Sequence, residues 1–225
     1  MTFRPDYSDQ TGIFDPAQFG HRLTMIGCGG IGASALLSFA TLGIPEMVLW
    51  DPDIVEPRNV ASQLLFRPSD VLRPKVEVAR EILLAYGVAE VEVRQEEFHA
   101  EAAGDSLQGI VVSGVDSMAT RQDIWRALAW NPQVPLYLDG RIGGESFQLN
   151  TLDPCDPDAV VWYEQFQLFS DEEGAELPCT ERAVVYPAVA LGACMTAQIA
   201  RYHRQLPLER MIFMDMRTNQ FMRML

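Results

Sequence analysis

Short apolar runs alternate with helix-forming stretches along most of this chain. Leu23–Ile26 and Met47–Trp50 are short, mostly apolar runs that predict buried strands, and Ile31–Leu42 between them predicts a helix of small residues. Strands that alternate with helices in this way predict a mostly parallel sheet with right-handed crossovers. The same patterns predict further strands at Val91–Val93, Ile110–Val115, Pro135–Leu138 and Ser146–Leu152, and helices at Pro74–Gly87, Met118–Trp130 and Ala183–His203.

Two long segments lack such a pattern. Pro52–Arg73 and the acidic Asp153–Pro178 are polar and irregular, and each is interpreted as a functional or mobile loop. Met211–Met216 and Phe221–Met224 predict a terminal hairpin. No break in composition marks a second domain. The sequence therefore predicts one α/β domain over residues 1–225: a Rossmann-like, mostly parallel sheet with helices on both faces and antiparallel C-terminal strands.

Composition and charge exclude several classes of protein. The apolar share of 48% is typical of a globular chain, and the net charge of −14 argues against a nucleic-acid-binding surface. The N-terminus lacks the basic start and apolar centre of a signal peptide, and the apolar stretches are too short to span a bilayer. We therefore expect neither a nucleic-acid partner nor a membrane association.

The cysteines indicate a reducing compartment. Cys28, Cys155, Cys179 and Cys194 show no C-x-x-C spacing, which argues against both a structural zinc site and a disulfide framework. Such usage is typical of cytosolic proteins. We therefore expect a cytoplasmic protein without zinc.

A glycine-rich motif lies between the first predicted strand and the first predicted helix. In Gly27-Cys-Gly-Gly-Ile-Gly32, Gly27 and Gly29 permit a tight turn and a close backbone approach, while Gly32 allows the helix to pack on the strand. The free amides at the helix N-terminus then face an anion. The motif predicts a nucleotide site at Gly27, Gly29, Gly30 and Gly32, and it leaves the nucleotide open.

The polar residues after the second predicted strand favour a triphosphate. Asp51 ends that strand, where an acidic residue can hold ribose hydroxyls, and this feature alone would suit NAD. Four more polar residues follow in a stretch where a dehydrogenase needs none: Asp53, Asn59, Gln63 and Lys75. A lysine places a point charge on phosphate oxygens, and amides donate to them. The alternative is a polar surface loop followed by an exposed helix start.

The run from Gly27 to Glu77 resembles the ThiF/MoeB/HesA family, the adenylating core of ubiquitin-activating enzymes. The family pattern has a G-x-G-G-x-G loop, a D-x-D-x-V, an N-x-x-R-Q and a P-K-V helix start. The resemblance implies that Asp51 binds the ribose of ATP. It also implies that Asn59, Gln63 and Lys75 serve the ATP phosphates.

The resemblance continues further along the chain. Gly114-Val-Asp116-Ser-Met-Ala-Thr-Arg121 is similar to the family's D-N-x-x-x-R segment, which implies that Asp116 holds Mg²⁺. The alternative is that Asp116 caps the following helix. Pro178-Cys179-Thr180 resembles the segment that supplies a thioester-forming cysteine in the family, and a helix N-terminus would favour its thiolate. The alternative for Cys179 is an inert buried thiol.

Two arginines of the family pattern are missing. Ser62 stands in place of the arginine of N-x-x-R-Q, and Asp9 stands in place of an N-terminal arginine that in MoeB-like proteins reaches the partner subunit's site. Arg141 is the first candidate to replace them, because it lies at a predicted strand end and a reacting phosphate needs such charges. Arg58 and Arg67 are weaker candidates.

The resemblance implies an ATP- and Mg²⁺-dependent adenylyltransferase that activates the C-terminal carboxylate of a ubiquitin-like or sulfur-carrier protein, or of a peptide, as an acyl-adenylate. It implies a homodimer as well, with residues 1–21 as an N-terminal extension and 153–178 as a crossover loop over the acyl site. Three alternatives remain open. They are a NAD-dependent oxidoreductase, a nucleotide-binding pseudoenzyme that binds a protein partner, and an adenylating enzyme for a peptide or small molecule.

Overall fold

The computed structural model of the protein describes residues 5–103, 107–169 and 184–225. Eight strands in this part of the chain form one sheet with the order β3-β2-β1-β4-β5-β6-β7-β8. The strands are β1 (Leu23–Ile26), β2 (Glu46–Trp50), β3 (Glu90–Arg94), β4 (Ile110–Ser113), β5 (Leu136–Gly143), β6 (Ser146–Leu152), β7 (Met211–Asp215) and β8 (Gln220–Met224).

The direction of the strands divides the sheet into two parts. The pairs among β3, β2, β1, β4 and β5 are parallel, and the pairs from β5 to β8 are antiparallel. The strand order reverses at β1, whose neighbours β2 and β4 lead in opposite directions across the sheet. The predicted mostly parallel sheet with antiparallel C-terminal strands is confirmed.

Helices cover both faces of the sheet. Their bounds in the described chain are α1 (Gly30–Leu42), α2 (Pro57–Ser62), α3 (Lys75–Ala85), α4 (Ala100–Ala103), α5 (Met118–Leu128), α6 (Pro157–Phe166) and α7 (Val185–His203). One buried cluster joins α1, α3 and α7 to the sheet, and a second joins α5 and α6 to its other face. The predicted placement of helices on both faces is confirmed. Among the described helices, none combines the length and the apolar character that a bilayer crossing requires.

The two cores explain why the central parallel strands β1, β2 and β4 are mostly apolar on both faces. In β4, Ile110 and Val112 pack into the first core, whereas Val111 between them packs into the second. Because side chains alternate along a strand, a strand covered on both faces buries every residue. The central strands therefore carry no polar face along most of their length.

The prediction for β5 was wrong at its end. We expected strands at Pro135–Leu138 and Ser146–Leu152 that Asp139–Gly144 separates, whereas the first strand runs from Leu136 to Gly143. Pairing with β6 is the physical reason, because the antiparallel register extends from Tyr137–Leu152 to Gly143–Ser146. The partner strand thus holds a glycine-rich stretch in an extended conformation, and Asp139 and Arg141 become strand residues.

The two segments that we expected to be irregular contain helices. In Asp153–Pro178, α6 begins after Asp156, whose side chain accepts the Asp158 amide at 3.0 Å, and Pro157 is its first residue. Such caps favour a helix start, and apolar residues at Ala159, Val160 and Tyr163 bury one side of it. In Pro52–Arg73, the short helix α2 is also present. The predicted crossover role of residues 153–178 stays a prediction.

The glycine motif provides a stability test. A Cβ atom built at Gly32 would lie 2.1 Å from the Gly27 carbonyl oxygen, whereas one built at Gly30 meets no atom within 4 Å. Gly32→Ala should therefore lower the free energy of unfolding by about 1–3 kcal/mol, since a backbone neighbour cannot move aside without cost. Gly30→Ala is the matched control and should leave it unchanged or slightly raised. Urea unfolding of both variants measures the difference, and equal stabilities would contradict this packing.

Candidate active site

The carboxyl ends of the parallel strands meet at one edge of the sheet. Ile26, Ser113 and Asp139 are register neighbours in β1, β4 and β5, so the residues that follow them share this edge. The strand order reverses here, between β2 and β4. In open α/β sheets, ligands bind in the crevice outside such a reversal point. The fold therefore places a ligand site beside Gly27, Gly114 and Gly140.

The glycine loop leads directly into α1. Gly27 has a φ of +91° and packs against Gly114, whose carbonyl carbon lies 3.0 Å from a Cβ built at Gly27. Gly29 is the N-cap of α1, and Cβ atoms built at Gly29 and Gly30 would meet almost nothing, with Gln63 Nε2 4.0 Å from the former. The first amides of a helix have no partner within the helix. The loop thus offers open backbone donors to an anion.

Asp51 fixes the glycine loop. One of its carboxylate oxygens accepts the Cys28 amide at 2.6 Å, and the other accepts the Asp53 amide at 2.9 Å. Burial raises the pKa of Asp51, and the nearby Lys75 partly offsets that rise. Cys28 is fully buried, and burial followed by the charge of Asp51 raises the pKa of its thiol well above the ordinary value. Asp51 therefore shapes the loop besides any role toward ribose, and Cys28 is a packing residue.

Lys75 brings a buried positive charge to the same place. It is the only lysine in the chain, it is 5% exposed, and it begins α3. Its Nζ donates to Asp53 Oδ2 at 2.7 Å and lies 4.0 Å from Asp51 Oδ1. The predicted Asp51, Asp53 and Lys75 are thus brought together. Their arrangement excludes the alternative of an exposed helix start.

Asn59 lies within α2, and Gln63 directly follows its last residue. The Asn59 side-chain oxygen accepts the Glu56 amide at 2.8 Å, so this oxygen holds the start of α2. Gln63 is partly buried, and its Nε2 is the side-chain atom nearest to Gly29. Its buried Oε1 has no hydrogen-bond donor among the residues that the structure describes. Gln63 therefore borders the glycine loop, while Asn59 has a structural partner, and the phosphate-binding roles of both stay predictions.

Asp116 lies in the connection between β4 and α5 and is exposed. Ser117, not Asp116, caps α5, because its side chain accepts the Thr120 amide at 3.2 Å. The alternative that Asp116 serves as the helix cap is therefore wrong. Within the described ranges, Asp116 does not belong to a group of three or more potential metal ligands. A cation held here would need further oxygens from a ligand such as a phosphate.

The most extensive polar cluster at this edge was not predicted as a cluster, although one of its members, Arg141, was a predicted site residue. Asp139 is completely buried, and its carboxylate accepts five side-chain hydrogen bonds at 2.8–3.2 Å. The donors are Ser113, Arg121, Arg141, Asn150 and Tyr163. Burial opposes the charge of Asp139, but Arg121 and Arg141 outweigh it and lower its pKa to about 2. Asp139 is therefore ionised and binds two guanidinium groups.

Tyrosines close this cluster on the second core. Tyr163 donates to Asp139 at 3.0 Å, and Tyr137 lies 2.8 Å from the Ser113 hydroxyl. Burial, and after it the charge of Asp139, raises the pKa of both phenols. Both therefore stay protonated. The protonated Tyr163 hydroxyl can donate to Asp139, and the protonated Tyr137 hydroxyl can donate to Ser113. These hydrogen bonds stabilise the cluster.

The candidates for the missing arginine charges differ in placement. Arg141 is mostly buried, with its Nε 2.8 Å from Asp139 Oδ2, and it lies over the Phe169 ring at 5.7 Å. Arg58 is 81% exposed and pairs with Glu56, and Arg67 is exposed as well. Arg141 is thus the best placed of the three.

The remaining predictions concern the N-terminus and a cysteine. Gln10 donates to the Leu42 carbonyl at 2.7 Å, so the segment after Asp9 is anchored to the end of α1 in its own subunit. Ser62 donates to the Arg58 carbonyl at 3.3 Å. Cys194 is partly buried, and burial raises the pKa of its thiol. Cys179 lies outside the described residues.

A parallel α/β sheet with a glycine loop at its reversal point, a buried lysine and two acids defines a nucleotide-binding protein of the Rossmann-like class. The chain belongs to the ThiF family, whose model matches residues 19–224. The predicted recognition is confirmed, and so is the prediction of an adenylyltransferase at the level of this family.

Curated relatives bear names that fit this assignment. The chain is 31% identical over 182 residues to the sulfur carrier protein ThiS adenylyltransferase of Escherichia coli K12, covering 78% of this chain and 69% of the relative. It is also 31% identical over 106 residues to the SAMP-activating enzyme E1 of Haloferax volcanii, covering 44% of this chain but 38% of the relative. This chain therefore spans well under half of some relatives.

Solved structures share the fold. A crystal structure of E. coli MccB superposes with a TM-score of 0.75 at 18% identity, covering 94% of this chain and 63% of MccB. PaaA gives a TM-score of 0.70 at 17% identity, covering 91% of this chain and 63% of PaaA. MccB has also been solved with ATP. At such identities the likeness shows the fold alone, and this chain spans less than two thirds of either protein.

Proposed function

We propose that this chain uses ATP to activate the C-terminal carboxylate of a ubiquitin-like or sulfur-carrier protein, or of a peptide, as an acyl-adenylate. The observation that most supports this is the joining of the glycine loop to a buried lysine through Asp51, at the reversal point of the sheet. Family membership supports the same reaction, since relatives are named as adenylyltransferases and activating enzymes. A dinucleotide would not need Lys75 or Asp53 at this edge.

The residues present suit a triphosphate. The open backbone at Gly29 and Gly30 would face phosphate oxygens, and Asp51 would reach the ribose. Lys75 would exchange its contact with Asp53 for one with a phosphate, because its Nζ already lies at the edge of this site. Mg²⁺, held by the exposed Asp116 and by phosphate oxygens, would supply charge neutralisation.

The reaction needs positioning more than proton transfer. A carboxylate oxygen of the acyl substrate attacks the α-phosphorus of ATP, the bond to the β-phosphate oxygen breaks, and pyrophosphate leaves with that electron pair. The attacking carboxylate is already ionised near pH 7, so no general base is required. Fixed donors and charges at the reacting phosphate supply the rate. In this proposal Asp116 contributes by holding Mg²⁺ at the phosphates, and Arg141 contributes a positive charge beside the reacting groups.

Further steps and the assembly belong to the proposal too. Cys179 would accept the acyl group from the adenylate as a thioester, releasing AMP. We further propose a homodimer in which residues 153–178 cross over the acyl site, and a cytoplasmic location, where thiols stay reduced. Gln10 is bound to α1 of its own chain. An N-terminal segment that reached the partner subunit would therefore have to consist of residues before Gln10.

Exchange of labelled pyrophosphate into ATP tests the reaction. The purified chain, Mg²⁺ and a panel of peptides ending in Gly-Gly should give exchange that depends on the peptide carboxylate, and amidated peptides should give none. Binding of Mg·ATP without exchange under any carboxylate would instead favour a nucleotide-binding pseudoenzyme. Binding of NAD in place of ATP would favour an oxidoreductase.

Removing the only lysine should weaken ATP binding. Lys75→Met should raise the Kd of Mg·ATP by roughly 10- to 100-fold, because it removes a hydrogen bond between charged groups. Arg80→Met is the matched control, since Arg80 lies on the same helix but pairs with Glu77 on its surface. Calorimetric titration measures both. An unchanged Kd in Lys75→Met would show that Lys75 only neutralises Asp51 and Asp53.

A further inference from the structure

The cluster around Asp139 carries more positive than negative charge. Arg121 and Arg141 both contact Asp139, and their side chains are 6% and 15% exposed. In the described part of the chain, neither guanidinium pairs with a second carboxylate. Two buried cations and one anion leave one positive charge in surplus, and buried charges are normally paired. The cluster is therefore matched to one additional anion.

The surplus charge resides on Arg141. Arg121 donates from Nε to Asp139 and from Nη2 to the carbonyls of Val115 and Gly140, so it braces the strand ends. Arg141 donates only from Nε, to Asp139. Its Nη2 lies 2.6 Å from the same carboxylate oxygen, yet it is buried and lacks a hydrogen-bonded acceptor among the described residues. Nη2 therefore faces Asp139 as a charge contact, and the donors that Arg141 has left for a ligand are those of Nη1, which has no acceptor in the described part of the chain.

The position of Arg141 separates it from the triphosphate residues. The glycine loop follows β1, whereas Arg141 lies on β5, two strands away in the sheet order. Adjacent strands are about 4.8 Å apart, so β5 lies about 10 Å from β1. Asp116 follows β4, which lies between them. Arg141 is thus on the far side of Asp116 from the glycine loop.

We propose that Arg141 contacts the carboxylate of the acyl substrate, and that Asp139 is the positioning residue that holds Arg141 in place for it. This assignment rests on the proposed function. It names Arg141 as the residue that binds an oxygen of the acyl carboxylate while that carboxylate lies next to the α-phosphate. Asp139 binds one edge of the guanidinium and the Phe169 ring covers its face, and no acceptor among the described residues binds the remaining edge, which bears Nη1. Fixed donors of this kind bind anionic oxygens without further ordering.

Calorimetry with two ligands tests the assignment. One ligand is Mg·ATP, and the other is a stable sulfamate analogue of glycyl-adenylate, which keeps the acyl oxygen. Arg141→Met should raise the Kd of the analogue by roughly 10- to 100-fold and leave the Kd of Mg·ATP essentially unchanged. Asp139→Asn should also weaken the analogue, but it should have no further effect in the Arg141→Met background, because both act through one guanidinium. Arg223→Met, which removes an arginine paired with Glu209 at the far sheet edge, should change neither affinity.

Each outcome decides the question. Weaker binding of the analogue by Arg141→Met, with unchanged binding of Mg·ATP, supports the assignment. Thermal melts of Arg141→Met check that the fold is intact. Undiminished binding of the analogue by Arg141→Met overturns it. Equal loss of both ligands also overturns it, since Arg141 would then serve the triphosphate or the fold. A wild-type chain that binds Mg·ATP but not the analogue would refute the proposed function itself, and this assignment with it.

Discussion

Replacing Asp116 with asparagine is expected to slow ATP–pyrophosphate exchange by about 10²- to 10³-fold, the usual effect of removing one preorganised charge at a reacting centre. Asp116 is exposed at the end of β4 and is not needed to cap α5, so its substitution should leave the fold intact. Asparagine keeps the size of the side chain but loses the charge that a hard cation prefers. Exchange rates at saturating Mg·ATP measure the effect.

A Mg²⁺ titration and a charge-matched control sharpen that experiment. In Asp116→Asn the Mg²⁺ concentration for half-maximal exchange should rise, and excess Mg²⁺ should restore part of the rate. Glu90→Gln removes the same charge from an exposed residue at the amino end of β3, opposite the site, and should exchange at the wild-type rate. Wild-type exchange by Asp116→Asn at every Mg²⁺ concentration would contradict a role for Asp116 in holding the metal.

Replacing Asp139 with alanine should cost about 3–5 kcal/mol of the free energy of unfolding, because it leaves buried charges unpaired. The loss falls on Arg121 and Arg141, which share its carboxylate, and three neutral donors lose their acceptor as well. Asp139→Asn keeps an acceptor oxygen and should lose less. Urea unfolding at pH 7 checks the order, and an alanine variant as stable as the wild type would refute it.

The same carboxyl predicts a pH dependence. Burial opposes its charge, but the two arginines lower its pKa to about 2 from an ordinary 3.8. A group with a lowered pKa contributes stability that is fully present above 3.8 and is lost as the pH falls toward 2, here about 2 kcal/mol. The stability gap between wild type and Asp139→Asn should therefore shrink by about that amount between pH 5 and pH 2. A constant gap would contradict the lowered pKa.

Most of the sheet was predictable because its signals are local. β1 has the predicted bounds, and β2 and α1 each begin one residue earlier than expected, since continuous apolar runs, small residues and a following glycine define them without help from distant contacts. The end of β5 and helix α6 were missed for different reasons. Pairing with β6 extends β5 through a stretch that otherwise favours a turn. The α6 signals, Asp156-Pro157 before an apolar stripe, were present but hidden in an acidic segment.

The candidate site also has one part that local sequence motifs predict and one part that depends on distant contacts. The glycines, Asp51, Asp53 and Lys75 belong to short motifs that follow one another between Gly27 and Lys75, and the structure brings them together. Asp139 was overlooked because four of its five partners lie 11 to 26 residues away in sequence, on β4, α5, β6 and α6. No periodicity marks such a cluster, since it depends on strand register. The one available signal was the pair Asp139 and Arg141 itself, with i, i+2 spacing on one side of a strand.

The Asp139 cluster also bears on the two absent family arginines. Ser62 and Asp9 remove two positive charges from the family pattern, while the described residues of the buried cluster leave one positive charge in surplus. We therefore expect Arg141, which lies on β5 and not on α2, to supply part of that positive charge beside the acyl carboxylate and not at the triphosphate. Lys75 remains the only lysine to meet the triphosphate itself.

Calorimetric titration of the unmodified chain with Mg·ATP, and separately with NAD, tests the nucleotide assignment most directly, because it needs no knowledge of the acyl substrate. We expect one Mg·ATP per chain to bind with an affinity that falls in Lys75→Met, and we expect no heat from NAD. Tight binding of NAD together with no heat from Mg·ATP would contradict the account.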